Sequence, residues 1–343
     1  MDKFLVENKL FSKITSGFKR SPIQTNKLLE SDAEIIALKD GTFLAITLDG
    51  IVEEIHTGLY SDPYLLGWMT VMVSISDLAA VGAKPLGLLL LENIPKDFPQ
   101  DQFSLIQKGI QDACNEAGTF VLGGDTNNSC ELQLGTSAIG IIEDDQLISR
   151  IGCKEKDLLF VSNFMGLGMG FAFHQLFDQH MKFPFKPLPN TQHGELIRKF
   201  ASSCIDSSDG FFSAVCNLME LNSIGFRLDL GFKDFIHKNV IEIVEKEGIP
   251  DWFFLAGPHG EFELVFTIPP DQLKHFLDSA LQLEWEPLLI GSVIEQPAFM
   301  YPKDNAVLEL DIFSIANLFV KSGGNPKKYF EELYKMNQLW QEK

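Results

Sequence analysis

DPYLLGWMTVMVSISDLAAVGAKPLGLLL, residues 62–90, is the stretch on which the fold turns. Asp62 stands where a helix N-cap belongs, Pro63 follows at the first helical position, and Gly82 is placed to end the helix. Between them the pattern is apolar on almost every side: Leu65, Leu66, Trp68, Met69, Val71, Met72, Val73, Ile75 and Leu78. Such a helix is buried. Asp77 lies inside it, and a carboxylate there costs several kcal/mol unless a metal ion or a basic partner answers its charge.

Outward from this helix the chain alternates. FLAITLDGIVEEI, from Phe43, reads as a strand running into an acidic turn, with Asp49 at the strand end. PLGLLLLENI reads as the next strand, Gln102 to Ala117 as an amphipathic helix, TFVLGG as a strand ending in Asp125-Thr126, and ELQLGTSAIGII as another. The hydrophobicity drop in EDDQLISRIGCKEKD puts a boundary near Asp145, predicting domains over 1–145 and 146–343. In the second, LLFVS leads through the turn MGLGMG (Met165–Gly170) into the helix FAFHQLFDQHM, and FPFKPLPN is a loop. CIDSSDGFFSAVCNLMELNSIG reads as strand, turn and helix, opened by Asp209-Gly210 and closed by Gly225. The strand ELVFTIP, a helix after Pro269-Pro270, the strand PLLIGSVI and a helix from about Pro326 to Trp340 complete a layered α/β or α+β fold.

Composition narrows the chemistry. With 343 residues, 45% of them hydrophobic, the chain can bury substantial cores, and the 29 phenylalanines supply faces for a core or a subunit interface. A formal charge of -19 repels nucleic acid and anionic membrane, so phosphorylated ligands call for bridging metal ions. The five cysteines have no metal-ligand spacing and read as reduced and mostly buried. No run approaches the ~18 apolar residues of a membrane span, and MDKFLVENKLFSK is too polar for a signal peptide, so a cytoplasmic protein is expected.

Asp32, Asp49, Asp77, Asp125 and Asp209 recur at the ends of apolar segments or inside one. Scattered carboxylates that converge in space suit a Mg²⁺-nucleotide site, although each alone also suits a turn or a cap. In GGDT, Gly123 to Thr126, the glycines permit close backbone approach to a phosphate beside a carboxylate. MGLGMG lacks the P-loop lysine and reads as a tight turn, with or without an anion on its amides. His56 suits a structural hydrogen bond or a substrate contact, and Arg150 a phosphate grip or a linker closure.

Taken in order, TLDGIVEEIH, DPYLLGWMTVMVSISDLAAVGAKPLGLLL, GGDT, ISRIGCKEKD, CIDSSDGFF and EFELVFTIPP resemble the successive signatures of thiamine-monophosphate kinases. That family shares a superfamily with aminoimidazole ribonucleotide synthetase, selenophosphate synthetase and the hydrogenase maturation dehydratase. The resemblance implies a two-domain aminoimidazole ribonucleotide synthetase-like fold, a homodimer paired through the N-terminal sheets, and ATP with several Mg²⁺ ions. Carried over by motif, Asp32, Asp49, Asp77, Asp125 and Asp209 become metal ligands, with Asp77, Asp125 and Asp209 central to catalysis. Thr47, Gly124, Thr126, Arg150 and Ser208 become ATP-site residues, and His56, Asp206 and Glu261 look toward a phosphorylated small-molecule substrate. The implied reaction moves the γ-phosphoryl of ATP onto thiamine monophosphate.

Departures are local. Glu30-Ser31-Asp32 stands for the family's Gly-Asp-Asp, Ser74 for the asparagine of its N-x-S-D, PHGEFEL for its Gly-Gly-Glu-Asp-Tyr-Glu-Leu, and SGGNPKKYF for its Gly-aromatic C-terminal segment. They leave room for a paralogue acting on another acceptor, or for a nucleotide-binding dimer without turnover. NQLWQEK lacks a cysteine, which points away from the hydrogenase maturation type.

Overall fold

The structure is a computed structural model that describes residues 4–177, 183–303 and 306–341. The first half runs α1 (Val6–Thr15), β1 (Glu34–Ala37), β2 (Phe43–Gly50), α2 (Val52–His56), α3 (Pro63–Ala80), β3 (Lys84–Pro95), α4 (Gln100–Glu116), β4 (Val121–Ser129) and β5 (Gln133–Ile142). The second runs β6 (Leu158–Val161), α5 (Leu167–Phe177), α6 (Thr191–Phe200), β7 (Ser203–Asp206), α7 (Phe211–Asn222), β8 (Gly225–Leu228), α8 (Lys238–Glu247), β9 (Leu264–Ile268) and α9 (Leu273–Gln282). It ends with β10 (Leu288–Ile294), β11 (Phe299–Lys303), β12 (Ala306–Glu309), α10 (Ile312–Ala316), α11 (Leu318–Lys321) and α12 (Pro326–Gln341). The result is a mixed α/β fold of two sheets, ordered β1-β2-β5-β3-β4 and β12-β11-β8-β10-β6-β9-β7.

The helix read from residues 62–90 is the axis of the molecule. The Asp62 carboxylate caps it by accepting from the amides of Tyr64 and Leu65, and Gly82, at φ +63°, turns the chain out of it. It is long and apolar enough to cross a membrane, but 72% of that span is buried, as in a core helix. A Cβ on Gly67 would lie 1.9 Å from the Ile106 carbonyl oxygen, so glycine is what lets α3 and α4 cross so closely.

One end of α3 packs in the core of the first sheet. At the other, Ala79 and Ala80 join Phe160, Ile197, Leu264 and Phe266 in a core of the second sheet. Across the seam the Arg198 guanidinium, on α6, donates to the Gly82 carbonyl at 3.1 Å, the Gln146 carbonyl at 2.6 Å and both Asp144 carboxylate oxygens. The many phenylalanines fill cores: Phe211, Phe212, Phe235, Phe253 and Phe299 are fully buried. Of the five cysteines, all free, only Cys130 is exposed.

Several readings change. β4 runs on to Ser129, so Asp125 and Thr126 lie within the strand rather than at its end. The acidic turn after β2 is the short helix α2. α7 closes at Ser223 in the left-handed region, and Gly225 begins β8 instead. The far end of FAFHQLFDQHM lies outside the described residues. α1 docks on the second half: the Leu5 amide donates to Glu220 at 2.9 Å, the Val6 amide to Asn317 at 2.8 Å, and Asn8 to Asn217 at 3.0 Å.

Candidate active site

Where α3 crosses the end of β7, three carboxylates meet. One oxygen from each of Asp32, Asp77 and Asp206 lies within 4.8 Å of the others, in a group suited to a metal ion. Each arrives on a different element: Asp32 just before β1, Asp77 on α3, Asp206 at the end of β7. Burial and the neighbouring charges of Asp49, Asp206 and Asp32 push the Asp77 carboxyl far above its ordinary range. Burial and Asp32 push Asp206 up to about 6, against the opposing help of Ser76, Arg150 and Ser208. Ser76 and Ser208 donate to the two oxygens of Asp206, at 2.6 and 3.0 Å, and fix its plane.

The Thr47 hydroxyl sits between Asp49, at 3.1 Å, and Asp77, closer still. One hydroxyl hydrogen serves only one of them, so a protonated Asp77 donating to the Thr47 oxygen completes the set. Asp32 is held differently. Its side chain is 1% exposed, one oxygen accepts from the Arg150 guanidinium at 2.7 and 3.3 Å, and the other has no partner. The hydroxyl of Ser31 beside it is likewise buried and unpartnered. Burial would lower the Arg150 guanidinium, but Asp32, Asp206 and Asp77 outweigh it and hold the cation above its ordinary range. Arg150 therefore closes the linker, through its Asn222 and Glu30 backbone bonds, and charges the site as well.

Asp209 opens onto a cavity of about 610 Å³ next to this cluster, as does His56. Burial, then Glu7, Asp206 and Glu54, push the Asp209 carboxyl up to about 8. His56 pairs with Glu131 at 2.8 Å.

The other expected residues fall apart from the cluster. Gly124, Asp125 and Thr126 are on the exposed edge strand β4. The register links Asp49 to Thr136, Leu90 and Gly124, which puts β4 about 14 Å away, three strand spacings. Asp125 accepts from Asn127 at 2.8 Å, and Thr126 donates to Glu92 at 3.4 Å.

Glu261 is held by the turn after β6. It is 5% exposed, and its carboxylate accepts from the amides of Gly166 and Gly168, at 2.8 and 3.3 Å, and from Ser207 at 3.5 Å. It takes up the turn that was open to an anion, and is not among the residues that line the cavity. Burial pushes it up to about 8. A Cβ on Gly168 would lie 2.0 Å from the Gly260 carbonyl, so the glycines allow this close approach.

Asp206, expected to look toward the substrate, is grouped in space with Asp32 and Asp77. His259 went unread: its Nδ1 donates to the Gly168 carbonyl at 3.0 Å, so its Nε2 accepts from the Tyr60 hydroxyl at 2.6 Å.

Comparison with known proteins bears on the fold and on the chain's relatives. Residues 30–142 match the family described as AIR synthase related protein, N-terminal domain. The thiamine-monophosphate kinase of Buchnera aphidicola (Schizaphis graminum) is 26% identical over 278 residues, 78% of this chain and 84% of that one. The solved AaThiL complexed with AMPPCP and TMP superposes with a TM-score of 0.72 at 20% identity, over 88% of this chain and 94% of that one. HypE, a hydrogenase maturation protein of E. coli, superposes with a TM-score of 0.67 at 18% identity, over 90% and 96%. The two-sheet fold is shared with these solved proteins, and the AIR synthase related match covers its first half. Fold alone does not separate the branches; in sequence the chain is similar to thiamine-monophosphate kinases, at 26–27% identity.

Proposed function

We propose that this chain is an ATP-dependent kinase that transfers the γ-phosphoryl group of ATP to the phosphate of thiamine monophosphate, with Mg²⁺ held by the aspartate cluster. The observation that carries this reading is the unpartnered, buried oxygen of Asp32 within the group it forms with Asp77 and Asp206. A buried carboxylate oxygen without a partner costs free energy that a hard cation would recover. The donor set fits Mg²⁺: carboxylates, with the Ser31 and Thr47 hydroxyls alongside. Bound there, Mg²⁺ would neutralise phosphate oxygens during transfer.

The chain's own residues would do the rest. Asp32, Asp77 and Asp206, with Asp49 beside them, would hold the metal, and Ser76, Ser208 and Thr47 keep those carboxylates aimed. Arg150, already cationic beside Asp32, would meet the acceptor phosphate, and Asp209 joins this site to the cavity. His56 would face the acceptor from the cavity wall. Positioning supplies most of the acceleration in a transfer that needs no side-chain nucleophile.

We assign residues 1–145 the ATP and dimer contacts and 146–343 the C-terminal α+β domain, with α1 crossing over to the second. Phe120, Val121 and Leu122 at the start of β4, with Leu89 and Leu91 of β3, form an exposed apolar face, 70% for Phe120, which supports pairing of two copies there. Pairing would give the Gly124, Asp125 and Thr126 strand a ligand role at the subunit boundary. The free cysteines suit the cytoplasm. The test is direct: purified protein with ATP, Mg²⁺ and thiamine monophosphate should release ADP and thiamine diphosphate in equal amounts. No thiamine diphosphate at saturating ATP would sink the reading.

A further inference from the structure

We propose that Asn222, the last residue of α7, is a positioning residue that fixes where the Arg150 guanidinium meets the acceptor phosphate. This rests on the kinase reading above and names the side chain through which that reading's phosphate grip is held. Asn222 is half-buried and is not among the residues that line the cavity, so it acts through the backbone of residues 150–152.

The side-chain amide is engaged on three sides. Its Nδ2 donates to the Arg150 carbonyl at 2.8 Å and to the Leu218 carbonyl at 2.9 Å, and its Oδ1 accepts from the Gly152 amide at 2.8 Å. Both donor hydrogens are used, and a flipped amide would set its donors against the Gly152 N–H and its oxygen against the carbonyls, so one orientation is fixed. An asparagine that only ended its own helix would need the Leu218 bond alone. The other two reach residues 72 and 70 positions back in the chain, in the segment between β5 and β6.

Arg150 is thereby held at both of its main-chain groups: its amide donates to the Glu30 carbonyl at 2.8 Å and its carbonyl accepts from Asn222. Glu30 lies two residues before Asp32, whose carboxylate takes the Arg150 guanidinium at 2.7 and 3.3 Å. The clamp therefore sets the cation and the carboxylate it pairs with in one frame. Gly152, at φ +136°, passes so close to Ser202 that a Cβ would lie 2.3 Å from the Ser202 carbonyl oxygen, which leaves the turn little room to shift. A guanidinium sits at the end of a long stem, so a small rotation of its backbone moves the charge by on the order of 1 Å, enough to misalign a bound phosphate.

The test measures thiamine monophosphate and thiamine, which lacks the phosphate, on wild type, Asn222→Ala, Arg150→Gln and the double variant. Calorimetry with Mg²⁺ present gives the affinities, and turnover gives KM and kcat separately. Asn222→Ala should weaken thiamine monophosphate by about tenfold, in Kd and in the acceptor KM, the size of one charge-assisted contact, with the affinity for thiamine and the KM for ATP unmoved. Added to Arg150→Gln it should cost nothing further, because the group it positions is already gone. Asn222→Ser, whose hydroxyl serves one of the two main-chain groups, should lose less than alanine and stands in where Asn222→Ala does not fold. Equal binding of the two ligands by wild type, equal losses for both in Asn222→Ala, or additive losses in the double variant would overturn the proposal. The expected binding pattern without any turnover would overturn the phosphotransfer reading and leave this one standing, and turnover with the acceptor KM unchanged in Asn222→Ala would do the reverse.

Discussion

Two places in this molecule bury carboxylates, and they treat them oppositely. At the turn after β6, Glu261 is sealed in but satisfied, with two glycine amides and a serine hydroxyl as donors. At the crossing of α3 and β7, Asp32, Asp77 and Asp206 crowd together, and one oxygen of Asp32 has no partner. Burial is common to both. What differs is an unmet hydrogen-bonding demand at Asp32, and it is the reason the proposed function puts its metal at the second place.

The sharpest way to break this comparison is Asp77→Asn. If the cluster holds a metal for phosphoryl transfer, kcat should fall by about 10²- to 10³-fold, read as ADP release, while the fold survives. Next comes Glu261→Ala, which should act on stability: it leaves the Gly166 and Gly168 amides unpartnered, at about 1–3 kcal/mol each. Urea denaturation of Glu261→Ala measures this, and an unchanged midpoint would erase the structural role.

A smaller effect separates the two by ligand. Mg²⁺ at pH 8 should raise the melting temperature of wild type, and Asp32→Asn should shrink that rise while Glu261→Gln preserves it. Differential scanning fluorimetry decides the point.

The smallest effect is on the pH profile of the metal-free protein. Glu261 titrates near 4.5 unfolded and about 8 folded, so the native state keeps a proton the unfolded chain has lost. Stability is then greatest below the unfolded value and falls as pH rises toward about 8, a trend that Asp206, pushed up to about 6, reinforces. Glu261→Gln keeps an accepting oxygen with no proton to lose, and should flatten the fall. A profile as steep as wild type would remove Glu261 from the account.

Much of this was legible in the sequence where the signal was local. The cap, proline and glycine of residues 62–82 set the bounds of α3, and the isolation of Asp77 among apolar neighbours marked it as needing a partner. Pairing across distance was not legible. Glu261 meets amides 93 and 95 residues away, and nothing around either segment names the other. Asp206 and Asp209 share one turn, and only the packing of α3 against β7 shows which of them joins Asp32 and Asp77. The short elements β8, β11 and β12 carried too few residues for a periodic pattern, and α1 is defined by its docking rather than by a motif.

The Arg198 seam carries a consequence for how the molecule comes apart. Gly82, Asp144 and Gln146 belong to the first half and its exit, Arg198 to the second, and α3 contributes to cores on both sides. Losing the first half would strand the buried Arg198 guanidinium, and losing either would open a core in the other. Heating should therefore melt both sheets in a single cooperative transition, with no half-folded species along the way.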